Sequence, residues 1–316
     1  MKPGLLVLQR RSPELLETLA RDYAVHDYAR ADDRDALIGR IGGDIRAVLT
    51  NGRGGIGGAL IAALPNLEIV CCFGVGYETV DMDSCRARGI TVTNAPGTND
   101  VGVAEMAILL MLAVTRNLVA ADAFVKQGRW PDGRVERTHT IGGKKLGIVG
   151  LGRIGRRIAE RAAPFEMEIA WHGPNPKPDA PWRYFPDLPA LAEWADYLVA
   201  ACPGGAETRH LISAPVLRAL GPRGILINIA RGTVVDPVAL IAALRDRAIA
   251  GAGLDVFEGE PNIPEAIRAL DNVIMTPHIG AITFEAFDNG LELLRKNLAA
   301  HFAGEKVLTP VYVPDD

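Results

Sequence analysis

The sequence predicts an α/β protein built from two doubly wound, parallel-sheet domains, the second inserted into the first. Three observations carry this. Short apolar runs alternate with helical patterns along most of the chain, as buried parallel strands and their crossover helices do. A second, sharper series of such runs starts at Lys145, after the polar, loop-like stretch Gly128–Gly143. The length, 316 residues, suits two domains of roughly 100–200 residues, each able to bury its own core.

In chain order, Gly4–Gln9 reads as a strand. Ser12-Pro13-Glu14 then supplies an N-cap with Pro at N1 and opens a helix to about Arg21. Asp44–Thr50, Leu67–Phe73 and Ile90–Asn94 are further strands, with helices expected over Ile56–Leu64 and Asp81–Arg88. A long helix over Asp100–Leu118 is apolar nearly all round, so it must be covered on several sides. The second series comprises Lys145–Val149, Glu168–Trp171, Tyr197–Ala201, Gly224–Ile229, Ala250–Asp255 and Val273–Met275, with the Pro-rich Pro174–Pro189 as a loop. A terminal helix over Phe284–Phe302 returns to the first domain. The expected domains are 1–98 plus 285–316, and 99–284.

Composition excludes several classes of function. With 48% hydrophobic and 23% charged residues the chain is neither disordered nor collagen-like. Lys+Arg at 34 against Asp+Glu at 38 gives a net charge of -4, without the concentrated basic face that nucleic acid demands. No run reaches the roughly 18–20 apolar residues of a membrane span. The start, MKPGLLVLQRRS, is too short in its apolar part for a secretory signal. Cys71, Cys72, Cys85 and Cys202 form no spaced framework and read as reduced thiols. A cytoplasmic protein is expected, with no metal site and no nucleic-acid or membrane partner.

The segment KKLGIVGLGRIGRRIAERAA carries the most information. A strand runs into Gly150-x-Gly152-x-x-Gly155, and a helix with apolar Ile154, Ile158 and Ala162 follows. Gly150 permits the tight turn, Gly152 lets the backbone approach a pyrophosphate, and Gly155 lets helix and strand pack closely. The helix N-terminus offers unpaired N–H groups and a partial positive charge to that anion. A nicotinamide or similar dinucleotide is therefore expected. An NAD-preferring site places an acid about 20 residues on, at the end of the second strand. Here the chain reads Trp171-His172-Gly173-Pro174-Asn175-Pro176-Lys177, with no carboxylate. His172, Asn175 and Lys177 could receive a 2′-phosphate, so NADP(H) is favoured. The absence of the usual Arg leaves NAD(H) open, with these three as solvated loop residues.

Three later strands each end at a polar residue: Arg231 after Ile225–Ala230, Glu260 after Gly253–Phe257, and His278 after Val273–Met275. Singly these could be a surface ion pair, a turn acid and a cap. Open α/β sheets, however, bind ligands beyond the carboxyl ends of their strands. Three polar residues at such ends behind a dinucleotide turn point to one reaction centre.

The stretches IGGKKLGIVGLGRIG, INIARGTVVD, AGLDVFEGEP and TPHIG resemble the signatures of the D-isomer-specific 2-hydroxyacid dehydrogenases. FGVGYETVDMDSCRARGITVTNAPG and VAEMAILLMLAVTR extend the likeness into the first domain, and the glyoxylate/hydroxypyruvate reductase-like branch is most similar. The resemblance implies a flavodoxin-like substrate domain carrying an inserted Rossmann coenzyme domain, with the cleft between them. It also implies a homodimer joined through the long apolar helix and the loop after it. It assigns Arg231 to the substrate carboxylate and carbonyl, His278 to acid/base work, and Glu260 to pairing with His278. The backbone amides of Val75 and Gly76 would hold the carboxylate. On the cofactor it sets Arg153, Ile154, Cys202, Pro203, Ile229, Ala230, Arg231, Asp255, His278, Gly280 and Ala281, with Asp255 at the nicotinamide carboxamide.

The chemistry is consistent with these assignments. Reducing a 2-oxo acid needs a hydride on the carbonyl carbon and a proton on its oxygen, and imidazole handles protons in both directions near neutrality. A guanidinium grips two oxygens in a fork and polarises the carbonyl. Glycines let Phe73-Gly74-Val75-Gly76 form a concave donor nest, although a plain strand-to-turn stop fits as well. Tyr77 and Asn51 could line the same pocket or serve packing and a turn. Two positions depart from the family pattern. Phe287 stands where many such reductases carry Arg, and Thr98-Asn99 replaces a more usual apolar pair. The expected activity is NADPH-preferring reduction of glyoxylate, hydroxypyruvate or a similar small 2-oxo acid to the D-hydroxy acid. The alternatives are an NAD-dependent enzyme with a bulkier, more apolar substrate and a nucleotide-sensing co-regulator scaffold. A scaffold is expected to carry partner-binding extensions, of which this chain, stopping at Asp316, shows almost none.

Overall fold

The structure, a computed structural model, describes residues 2–314. Contacts divide the chain into two compact units, one running to Asn99 and resuming at Thr283, the other Asp100–Ile282. The sequence reading set these boundaries one or two residues away.

The first unit begins β1 (Gly4–Val7), α1 (Pro13–Ala20), β2 (Ala24–Asp27), α2 (Arg34–Ile41) and β3 (Ile45–Thr50). It continues α3 (Gly58–Ala62), β4 (Ile69–Cys72), α4 (Met82–Ala87) and β5 (Thr91–Thr93). The second unit opens with α5 (Asp100–Thr115), α6 (Leu118–Lys126), β6 (Lys145–Val149), α7 (Arg153–Ala162), β7 (Glu168–His172) and β8 (Arg183–Tyr184). Then come α8 (Leu188–Trp194), β9 (Tyr197–Ala200), α9 (Ala214–Leu220) and β10 (Ile225–Asn228). It closes with α10 (Pro237–Arg245), β11 (Gly251–Leu254), α11 (Glu265–Arg268) and β12 (Val273–Met275). The first unit is completed by α12 (Phe284–Phe302) and β13 (Pro310–Tyr312).

Among the described residues the first sheet has the order β13-β5-β4-β3-β1-β2 and the second β12-β11-β10-β9-β6-β7-β8. All pairings are parallel except β13 with β5. In each sheet the order reverses once in a way that opens a crevice at the strands' C-terminal ends: between β1 and β3, and between β6 and β9. Fully buried strands explain the continuous apolar runs, since β1, β4, β9, β10 and β11 are buried at every position.

Several helices start where their caps dictate. Ser12 accepts from Leu15 N, Asp81 from Ser84 N, and Thr283 from Ala286 N. The strand expected over Gly4–Gln9 stops at Val7, and the long helix expected to Leu118 stops at Thr115. There Thr115 Oγ1 donates back to Met111 O, and Asn117 adopts a left-handed conformation at φ 48°, turning the chain by 63° into α6. β2, α2, β8, β13 and α6 were not anticipated. β2 is a four-residue edge strand, AVHD, half-buried throughout, so it has no apolar run to announce it. Within the described residues no single helix is long and apolar enough to cross a membrane. α5 instead packs on α7 and on β10, β11 and β12 of its own unit.

Candidate active site

The turn after β6 shows why three glycines stand at these spacings. Gly150 has φ +99°, and a Cβ there would lie 2.7 Å from the Cys202 backbone. A Cβ on Gly155 would lie 2.1 Å from Gly150 O, so helix and turn can meet only without one. Gly152 is different: nothing lies within 4 Å of its would-be Cβ. It is also the N-cap of α7 and makes no side-chain capping bond. No side chain caps the first turn of α7, which leaves the amides of Arg153 and Ile154 as candidate donors to a pyrophosphate. A dinucleotide fits this turn. Cys202 and Pro203 follow β9 on the far side of the same crevice, and burial pushes the Cys202 thiol up to about 11.

At the end of β7, His172 Nδ1 donates to Phe185 O at 3.0 Å. Lys177 Nζ donates to Leu151 O at 2.8 Å, which holds its ammonium against the glycine turn. Asn175 is exposed in the same loop. Arg153 Nε donates to the buried Asp100 carboxylate at 2.7 Å, so its side chain is tied to the start of α5. Arg156 pairs with Asp179 at 2.6 Å, a contact across the loop that the sequence reading did not identify.

The charged residues meet at the ends of β10, β11 and β12. Asn228, the last residue of β10, is 1% exposed, accepts from Ala230 N and donates to Arg231 O. It thereby fixes the Ile229–Arg231 turn. Arg231 Nη1 donates to Ala230 O at 2.8 Å. A Cβ on Gly232 would lie 1.8 Å from Phe257 C, so the loop bearing Glu260 lies directly against the turn bearing Arg231. Glu260 Oε1 accepts from Phe257 N at 2.8 Å, while its Oε2 accepts from His278 Nδ1 at 2.9 Å. With Nδ1 committed to the carboxylate, Nε2 is the nitrogen left to exchange a proton with a substrate. Both side chains are about one-fifth exposed, His278 at 22% and Glu260 at 18%.

His278 itself sits at φ +57°, a strained value for a non-glycine residue. Asp255 compensates. One of its oxygens accepts from Thr276 Oγ1 and Ile279 N, the other from Gly280 N, which wraps the Thr276–Gly280 turn around a carboxylate 2% exposed. The resemblance assigns Asp255 to the nicotinamide carboxamide; the structure gives it the further task of holding the His278 turn. Ala281 follows directly. Glu258 accepts from His210 Nε2 at 2.8 Å and from Arg209 at 2.6 Å, which together hold its carboxyl below the usual range. Asn228, Glu258, Arg209 and His210 escaped the sequence reading. The one available signal was a polar residue closing an otherwise apolar strand, as in ILIN.

In the first unit, the Phe73-Gly74-Val75-Gly76 loop leaves β4 with Gly74 at φ +134°. Asn94 Nδ2 donates to Val75 O at 2.7 Å and Ala95 N to Gly74 O at 2.8 Å. With those carbonyls engaged from behind, the loop is held while its Val75 and Gly76 amides define the candidate nest. A Cβ on Gly52 would lie 2.8 Å from Gly76, so the loop after β3 braces it. Asn51 Oδ1 accepts from Arg53 N and Gly54 N, a turn role rather than a pocket-lining one. Phe287 packs on Phe73 with ring centroids 6.0 Å apart. Arg11, after β1, lies over the same ring at 5.1 Å, and burial together with the Arg53 cation brings its guanidinium down to about 10.

A doubly wound dinucleotide unit with an imidazole–carboxylate pair and a guanidinium at its strand ends is the design of a nicotinamide-dependent dehydrogenase. Comparison with known proteins specifies which. Residues 108–280 match the family described as "D-isomer specific 2-hydroxyacid dehydrogenase, NAD binding domain". A glyoxylate/hydroxypyruvate reductase of Arabidopsis thaliana is 41% identical over 308 residues, 98% of each chain. A 2-ketogluconate reductase of Gluconobacter oxydans is 39% identical over 98% of this chain and 99% of its own. Among solved structures, a 2-hydroxyacid dehydrogenase from Ketogulonicigenium vulgare superposes with a TM-score of 0.94 at 42% identity, covering 100% of both chains. An NADPH-dependent glyoxylate/hydroxypyruvate reductase from Sinorhizobium meliloti, solved with NADP and malonate, gives 0.90 at 37% identity over 100% and 99%. The chain belongs to the D-isomer-specific 2-hydroxyacid dehydrogenase family and is an oxidoreductase with an NAD(P)-binding domain.

Proposed function

We propose that this protein is an NADPH-preferring reductase of small 2-oxo acids, glyoxylate, hydroxypyruvate or a close analogue, yielding the D-2-hydroxy acid. The observation that carries the reading is the 2.9 Å contact of His278 Nδ1 with Glu260, on a loop packed against the Arg231 turn. The bound cofactor supplies the hydride for the carbonyl carbon. Arg231 grips the substrate carboxylate and carbonyl, and its charge stabilises the oxyanion as it forms. His278 delivers a proton from Nε2 to that oxygen, while Glu260 stabilises the imidazolium and orients the ring. The Val75 and Gly76 amides take the carboxylate. The names of the relatives, together with a strand end that lacks an acid at His172, support NADPH, with Lys177, His172 and Asn175 as the groups near its 2′-phosphate.

The α5–α6 pair presents Leu109 and Val119 at 51% and 60% exposure, and the following loop presents Trp130 at 68%. These apolar groups support a homodimer through that face, and a cytoplasmic location fits the reduced thiols. Steady-state oxidation of NADPH and NADH with a panel of 2-oxo acids tests the reading. We expect turnover with glyoxylate or hydroxypyruvate and a higher kcat/KM with NADPH, reduced by Lys177→Glu. No consumption with any acid would remove it.

A further inference from the structure

Resting on that reductase reading, we propose that Gln9 and Arg11 bind the far end of the substrate, and that the preferred substrate is a 2-oxo acid whose chain carries hydroxyl groups. Both residues follow β1, at the β1/β3 crevice of the first unit, where an order reversal of this kind places ligands. Arg11 Nη2 donates to Thr50 O at 3.2 Å, the same carbonyl that accepts from Phe73 N. Gln9 Nε2 donates to Thr50 Oγ1 at 3.1 Å. A Cβ on Gly54 would lie 2.2 Å from Gln9 Nε2, and one on Gly52 2.8 Å from Gly76. Gln9, the Asn51–Gly55 loop and the candidate carboxylate nest are thus one packed assembly.

Two atoms of this assembly are left without a bond. Arg11 Nε and Gln9 Oε1 are buried and have no hydrogen-bond partner among the described residues. No carboxylate of those residues lies within ion-pair distance of Arg11. A desolvated cation and a desolvated acceptor are both costly in this condition, which a ligand can relieve. An unmet donor and an unmet acceptor on two side chains that both bond to Thr50 suit a group that both accepts and donates, and a hydroxyl does so. A carboxylate would suit the guanidinium but oppose the Gln9 carbonyl oxygen with its own lone pairs. A hydrocarbon chain would leave both atoms unmet.

The test compares kcat/KM with NADPH for 2-ketogluconate, 2-oxohexanoate of equal carbon number, and 2-oxoglutarate. Wild type should favour 2-ketogluconate over 2-oxohexanoate by about 10-fold or more. Arg11→Met should shrink that ratio by about 10-fold, bringing it near 1, and Gln9→Leu by about 3-fold, mainly through KM. Arg11→Lys should restore part of it. Should Arg11→Met fail to fold, Gln9→Leu carries the same ratio. An Arg11 that merely braces the loop would lower both substrates by one factor and leave the ratio fixed, which overturns the proposal. So does a wild type that prefers 2-oxohexanoate or 2-oxoglutarate. Glyoxylate separates the two readings: turnover of it without any hydroxyl preference overturns this inference alone, and no turnover with any acid overturns both.

Discussion

The loops at the strand ends of the two units are built from different materials. In the second unit the chemistry-bearing groups are side chains, and each is aimed by bonds from its neighbours: Asp255 to the His278 turn, Asn228 to the Arg231 turn, Glu260 to His278. In the first unit the candidate ligand groups at Val75 and Gly76 are backbone amides, shaped by glycine contacts such as Gly52 against Gly76 and by Asn94 on Val75 O. The difference predicts opposite vulnerabilities. The second unit should fail when a side chain is removed, and the first when one is added.

His278→Gln gives the sharpest test, since it deletes the proposed proton carrier. We expect kcat/KM to fall about 10³-fold with the NADPH dissociation constant within about 3-fold, read by fluorescence titration. Undiminished turnover would break the side-chain account. Asp255→Ala removes three bonds to a buried carboxylate and frees a strained turn. It should lower kcat about 10- to 100-fold and cost about 2 kcal/mol or more, seen as a Tm lower by several degrees. The glycine turn contains its own contrast. Gly155→Ala meets Gly150 O and should lower Tm, whereas Gly152→Ala meets nothing. The latter should keep its Tm while the dissociation constant for NADPH rises about 10-fold.

In the first unit, Gly52→Ala pushes on Gly76 and should raise KM for the 2-oxo acid about 5-fold without moving NADPH affinity. A lowered affinity for NADPH would show that the effect is not confined to the substrate loop. The smallest effect concerns the thiols. Burial pushes Cys71 and Cys72 on β4 to about 12 and Cys202 beside the glycine turn to about 11. At pH 8 about one Cys202 in a thousand is thiolate, fewer for the others, so the native protein should be nearly inert to a disulfide reagent. All four cysteines should react once it is unfolded.

What could be read from sequence followed from how local each signal was. The Gly150–Gly155 turn, the Ser12 cap and the terminal helix Phe284–Phe302 depend on neighbouring residues, so their patterns were visible. β2 and β13 are held by partners far along the chain, and their short stretches carry no period of their own. α6 was hidden because Leu118 continues the apolar pattern of α5, and only the left-handed backbone at Asn117 separates them. Among site residues, Arg231, Glu260 and His278 stood out as polar groups closing apolar strands. Arg209, His210 and Glu258 lie in loops about 50 residues apart, and nothing in either loop announces the ion pairs.

By itself the sequence determined the fold class, the dinucleotide turn and which three charged residues are the candidates for the reaction, because helix and strand periodicity and strand-end polarity are written in consecutive residues. Only the tertiary structure decided which nitrogen of His278 faces away from Glu260, which carboxylate braces its turn, and that Gln9 and Arg11 each bury an atom with no bond among the described residues. Those facts depend on distances between segments separated by tens of residues, and packing sets such distances while local pattern does not.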